Sequence, residues 1–176
     1  TVFVDNFSQY TDVHMQKTSS AKETIEGKEI FERMALEHNV TVQAYHADNG
    51  VFKANAWVND FLQKQQQLTF AGVGAHHQNG LAERKIGILQ DLTRTNLAHA
   101  NAVWPKAVTA HLWPYAMRCV NDRLNETPLM QDCQRRSLLE IFRKSPVAPN
   151  YYVSTRISYK CSYEIISERF SKRSTL

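Results

Sequence analysis

Short β-prone runs open the chain. Thr1-Val2-Phe3-Val4 and Asp12-Val13-His14-Met15, separated by Asn6-Phe7-Ser8-Gln9-Tyr10-Thr11, predict two strands joined as a hairpin. The period then lengthens to that of a helix. Ser20-Ala21-Lys22-Glu23 has capping-box spacing, and Ile25, Ile30, Phe31 and Met34 give an apolar stripe that ends near Asn39. Val40-Thr41-Val42-Gln43-Ala44-Tyr45 predicts a buried strand stopped by the turn chemistry of Asp48-Asn49-Gly50. A helix follows from Asn55 to Gln66, packing through Trp57, Phe61 and Leu62, and a further strand from Leu68 to Val73. Strands that alternate with helices indicate an α/β layer structure.

The second half reads as helical. From Leu81 to about Ala100, the residues Ala82, Ile86, Leu89, Thr93 and Ala100 share the stripe expected to face a core, while Glu83, Gly87, Gln90 and Arg94 share a polar one. Trp104 opens a helix expected to run past Pro114 to about Leu124, packed through Trp104, Leu112, Trp113 and Met117, with Pro114 kinking or interrupting it. Residues 137–150 suit a short helix and a Pro-containing link, and a Ser/Tyr/Lys-rich tail follows.

Composition narrows the class. A chain of 176 residues with 43% apolar and 22% charged positions is long enough to bury a real core. No apolar run approaches the roughly 20 residues that span a bilayer, so the expectation is a soluble intracellular protein. Cys119, Cys133 and Cys161 are odd in number and widely spaced, which fits neither a disulfide framework nor a C-x-x-C metal knuckle. The net charge of +4 is uneven: residues 1–75 carry 6 basic and 9 acidic side chains, residues 76–123 carry 6 and 3, and residues 124–176 carry 9 and 5. Basic surplus beside an acidic site suits a polyanionic substrate.

That acidic site is the candidate chemistry. Asp48 falls at the C-terminal edge of a strand, and Glu83 opens a helix 35 positions later. Hard carboxylate oxygens suit magnesium, which keeps several waters and takes few protein ligands. In two-metal phosphoryl transfer such carboxylates hold ions about 3.5–4 Å apart. Glu83 has a second reading, since an acid in the first turn is favoured by the helix dipole by about 0.3–1 kcal/mol. A zinc site at His76 and His77 is disfavoured, because adjacent histidines point apart and no Cys pair accompanies them.

Four ordered blocks then carry a family resemblance. Val2-Phe3-Val4-Asp5-Asn6-Phe7-Ser8-Gln9-Tyr10, Ala47-Asp48-Asn49-Gly50, His76-His77-Gln78-Asn79-Gly80-Leu81-Ala82-Glu83-Arg84 and Asn96-Leu97-Ala98-His99-Ala100 together resemble the integrase core of a copia-type retrotransposon polyprotein, from residue 1 to about residue 150. The resemblance implies an RNase H-like mixed sheet flanked by helices, truncated at its N-terminus. It also implies Mg2+ or Mn2+ as cofactor, and joining of element DNA ends to a target duplex. The implied protein works as a homo-oligomer in the nucleus or a cytoplasmic particle. Asp48 matches the second acidic ligand and Glu83 the third, both as catalytic and metal-binding residues. His77, Asn79, Arg84 and Lys85 are the expected DNA contacts.

The first acidic ligand of the family lies on a strand earlier than the Phe-Val-Asp block. Asp5 therefore matches a turn or strand-end position, and the opening strand is expected before Thr1. The implied organisation is a catalytic core over 1–125, incomplete at its start, a helix and linker over 126–150, and a divergent basic tail over 151–176, loosely packed and solvated. An inactive remnant that keeps fold and nucleic-acid binding is the alternative. An RNase H-like nuclease shares the chemistry, but the His-His-Gln-Asn-Gly-Leu-Ala-Glu-Arg block favours integrase.

Overall fold

Val2–Val4 (β1) and Thr11–Val13 (β2) pair antiparallel, Phe3 opposite Asp12, which is the hairpin the sequence predicts. The computed structural model describes residues 1–48, 51–72 and 79–145. The hairpin turn is closed by Asp5, whose Oδ2 accepts from the Ser8 amide at 2.7 Å and the Ser8 hydroxyl at 2.6 Å, with Gln9 at φ 60°. Asp5 thus has the turn role expected of it.

Helix α1 (Ala21–Glu37) starts at Ser20, whose side chain accepts from the Glu23 amide. Only half of the predicted capping box forms. The Glu23 carboxylate turns back to the Lys17 amide at 2.8 Å, the Thr18 amide at 3.1 Å and the Thr18 hydroxyl at 2.9 Å. The buried stripe also differs from the expectation: it is Thr24, Gly27, Lys28, Phe31 and Ala35, and Ile30 is 43% exposed. The physical reason is spacing, since Thr24, Gly27, Phe31 and Ala35 repeat at three and four residues, whereas Ile30 lies one step off that face.

The next strand begins later than predicted. The Val40 amide donates to Ala35 O at 2.9 Å and Asn39 sits at φ 58°, so the segment expected to start the strand instead terminates the helix. The observed strand is Ala44–Ala47 (β3), which pairs in parallel with Gln67–Phe70 (β4), Tyr45 opposite Leu68. Between them lie a 3₁₀ turn at Val51–Lys53 and helix α2 (Asn55–Gln63). Trp57 and Phe61 are buried as expected, but Leu62, about 100° further round the helix, is 71% exposed. Among the described residues the two ladders form separate two-stranded sheets.

An aromatic chain ties these elements together. Phe31 stacks on Phe3 at 5.2 Å, Phe3 meets Tyr45 edge-on at 6.3 Å, Tyr45 meets Phe61 at 5.2 Å, Phe61 lies 5.1 Å from Trp57, and Trp57 lies 5.1 Å from Phe52. Pairs of this kind contribute about 0.5–1.5 kcal/mol each beyond their burial. Gly27 lets α1 approach the hairpin, because a Cβ there would meet the His14 ring at 2.6 Å. Gly27→Ala is therefore expected to cost about 1–3 kcal/mol by overpacking, read as a lower urea midpoint. His14→Ala in the same chain should restore part of that loss, and an unchanged midpoint in Gly27→Ala would refute the close approach.

Contacts divide the chain into two compact units, Thr1–Lys85 and the part from Ile86 onward. Helix α3 (Gly80–Val103) crosses the division. Leu89, Thr93 and Ala100 are buried as the sequence predicts, while Ile86 is exposed. In the second unit the helix predicted from Trp104 does not run through Pro114. Helix α4 (Trp113–Glu126) instead starts there, after a 3₁₀ turn at Ala110–Leu112, and Pro114 occupies its first turn, where a missing N–H breaks no helical bond. Leu112 is buried, whereas Trp104, Trp113 and Met117 are half-buried. Helix α5 (Leu138–Arg143) packs against α4. Its capping box is complete, the Ser137 amide donating to Glu140 Oε2 at 2.7 Å and the Glu140 amide to Ser137 Oγ at 3.2 Å. Among the described residues no helix is long and apolar enough to cross a membrane. The tail over 151–176 lies outside the described residues.

Candidate metal and nucleic-acid site

The parallel ladder has two unlike faces. Along β3, Tyr45 and Ala47 turn inward, while Ala44, His46 and Asp48 are exposed. Asp48 follows the last residue of the strand, and the Ala71 amide donating to Ala47 O at 3.0 Å carries the ladder up to it. On the outer face His46 lies opposite Thr69, with Nδ1 2.9 Å from Thr69 Oγ1.

The inner face is held by a buried charge network. Lys28, whose side chain is 0% exposed, donates through Nζ to Asp60 Oδ2 at 2.6 Å and Gln66 Oε1 at 2.7 Å, and pairs with Glu32 Oε1 at 2.8 Å. The same ammonium lies 4.4 Å from the Phe61 ring centroid and 5.4 Å from that of Tyr45. Gln66 Nε2 donates to Glu32 Oε1 and to Val42 O, and Lys64 reaches Glu32 at 3.1 Å and Asp60 at 3.2 Å. The Tyr45 hydroxyl donates to Glu32 Oε1 at 3.1 Å; burial, then the adjoining negative charge of Glu32, push this phenol far above its ordinary range. Burial alone would raise Glu32 and Asp60. Hydrogen bonds from Lys28, Lys64 and, for Glu32, Gln66 outweigh it, and both carboxyls lie below their usual values. These bonds join α1, α2 and the inner face of β3, so the strand that carries Asp48 rests on a fixed base.

The remaining candidates cluster at the start of α3. Asn79 precedes the helix and is half-buried; Glu83 sits in the first turn and is exposed, as is Arg84. Lys85 is half-buried, and desolvation lowers its amine from the ordinary value. His76 and His77 lie outside the described residues. Among the described residues, no group of three or more His, Cys, Asp or Glu side chains comes together as a metal would need. Asp5, Asp48 and Glu83 therefore do not meet as a triad, and the Asp5 carboxylate is bound into its own turn.

As donors the two carboxylates fit magnesium, which is typically held by one or two carboxylates with waters and substrate phosphates completing the shell. Both are exposed, Asp48 just past the end of β3 and Glu83 in the first turn of α3. Neither His46 nor Thr69, whose contact links β3 to β4 on the outer face, stands out in the sequence.

No protein-family model and no curated protein matches the sequence. Solved structures do resemble it. A chain of the simian T-cell lymphotropic virus intasome, solved in complex with a PP2A regulatory subunit, superposes with a TM-score of 0.61 at 19% identity, over 84% of this chain and 49% of that one. This chain thus spans about half the length of that neighbour. The HTLV-2 integrase catalytic core domain in complex with magnesium superposes at 0.57 in its trimeric form and 0.53 in its dimeric form, both at 20% identity and over 80% of this chain, covering 82% and 81% of the neighbour. The chain has the mixed α/β fold of an integrase catalytic core domain.

Proposed function

We propose that this chain is the catalytic-core part of a copia-type retrotransposon integrase, which joins element DNA ends to a target duplex by divalent-metal-dependent phosphoryl transfer. The observation that carries the reading is the exposed Asp48 at the end of the parallel ladder, with Glu83 in the first turn of α3, on an integrase-core fold. Asp48 and Glu83 are the residues that would hold the metal. When bound, it supplies activation of the attacking hydroxyl and charge stabilisation at the leaving oxygen. The chain's own contribution is to present both carboxylates from exposed positions and to draw the DNA backbone with Arg84, Lys85, Asn79 and His77. Lys85, already partly desolvated, gains from a phosphate partner. In this reading Asp5, whose carboxylate is bound into its own turn, is not one of the metal ligands. The neighbours solved as dimer and trimer support a homo-oligomer. We place the organisation as a core over 1–125, a linker over 126–150 and a tail over 151–176.

A second reading, a remnant that binds nucleic acid without catalysis, is favoured by the lack of a three-residue metal group among the described residues. Incubating the chain with an element-end duplex, target DNA and Mg2+ or Mn2+ separates the two. Joined product that disappears in Asp48→Ala supports the integrase; DNA binding without product, with either ion, supports the remnant.

A further inference from the structure

We propose that Lys53 is a phosphate contact for the DNA backbone, held ready at the carboxyl end of the parallel ladder by the ring of Phe70. The inference rests on the nucleic-acid reading proposed above and adds a residue that reading does not contain.

Connectivity puts Lys53 at that end. β3 and β4 run parallel with α2 between them, so the segment leaving β3 starts at the carboxyl ends of both strands, where ligands of α/β structures gather. Lys53 closes the 3₁₀ turn of that segment, and its Nζ lies 5.9 Å from the centroid of the Phe70 ring. Phe70 is the last residue of β4 and pairs with Ala47, the residue before Asp48. The ammonium thus stands at the ladder end from which Asp48 emerges.

Two contacts restrain it before any ligand arrives. Phe52, the preceding residue, meets the buried Trp57 ring edge-on at 5.1 Å, and the Lys53 ammonium rests over the ring of Phe70. Ring faces attract cations within about 6 Å, and a side chain already ordered loses less freedom on binding. Its charge is also uncompensated. Lys28 and Lys64 are engaged by Glu29, Glu32 and Asp60, whereas Lys53 is exposed and enters no ion pair among the described residues. A ring carries no net charge, so the cation stays available to an anion, and phosphate is the anion the proposed substrate presents.

The test is binding of a fluorescein-labelled DNA duplex by the full chain, followed by anisotropy from about 50 to 200 mM salt, with EDTA present so that no metal bridges to the DNA. Lys53→Gln is expected to reduce the slope of log affinity against log salt by about 0.9, the share of one phosphate contact, and to weaken binding alike on unrelated sequences; Lys53→Arg should keep the slope. Phe70→Leu, which keeps the charge and removes the ring, should weaken binding about 2- to 5-fold with the slope kept. An unchanged slope in Lys53→Gln, or unchanged affinity in Phe70→Leu, overturns the proposal and leaves the nucleic-acid reading in place. An equal loss of slope in Lys22→Gln, at an exposed lysine of α1, also overturns it, because net charge alone would then account for the effect. If the wild-type chain binds no DNA, the nucleic-acid reading falls, and the contact with it.

Discussion

Lys28→Ala is expected to destabilise the chain by about 3–5 kcal/mol, the range found when one partner of a buried ion pair is removed. The ammonium has no exposed surface and satisfies three side chains, two of them carboxylates. Without it the cation left to Glu32 and Asp60 in this network is Lys64, which is 33% exposed and a weaker partner through solvent screening. The sign with pH follows from the two depressed carboxyls. Their contribution is full above the unfolded-state range near pH 4 and is lost as pH falls through the folded values. Wild type and variant should therefore differ most in urea midpoint at pH 7 and converge toward pH 3. Adding Glu32→Gln and Asp60→Asn to Lys28→Met should recover part of the loss at pH 7, because the buried charges are then removed together. Equal midpoints for wild type and Lys28→Ala at pH 7 would refute the network's role.

On the integrase reading proposed above, strand transfer is expected to fall at least about 100-fold in Asp48→Asn and again in Glu83→Gln, with the double variant no worse than either single one. Misplacing a reacting group by about 1 Å already costs about 100-fold, and groups that act as one unit give strongly non-additive losses. Both substitutions keep size and shape on exposed positions, so folding stability should shift by no more than about 0.5 kcal/mol for Asp48→Asn. Glu83→Gln separates its two readings. A residue serving the helix dipole alone would lose about 0.3–1 kcal/mol of stability with transfer unchanged.

The architecture was largely legible from periodicity. The hairpin, α1, α2, β4 and α3 stand close to where the sequence patterns put them, and β3 overlaps its predicted span only at Ala44 and Tyr45. What failed were boundaries and faces decided by tertiary partners. The strand expected from Val40 starts at Ala44, since residues 38–40 bond back to α1. Ile30 and Leu62, apolar but off the packed stripe, are exposed, while Lys28 is buried because Asp60, Glu32 and Gln66 converge on it from elements far apart in sequence. Pro114 was read as a break and is a start, a distinction that depends on where the preceding turn ends.

The candidate site was legible in its residue types and elements, and less so in its surroundings. Asp48 at a strand end and Glu83 in a first turn could be read directly from the strand and helix patterns. The turn that occupies Asp5 could be anticipated from its place after β1, although the bonds that commit its carboxylate to Ser8 could not. The contact of His46 with Thr69, 23 residues away, could not be read from β3 alone.

Calorimetric titration of Mg2+ into the chain tests the central claim most directly, with Asp48→Asn and Glu83→Gln measured beside the wild type and folding checked by circular dichroism. The account predicts one site that either substitution abolishes, because on the proposed reading both carboxylates hold the same metal. Wild-type binding retained in both variants would contradict it.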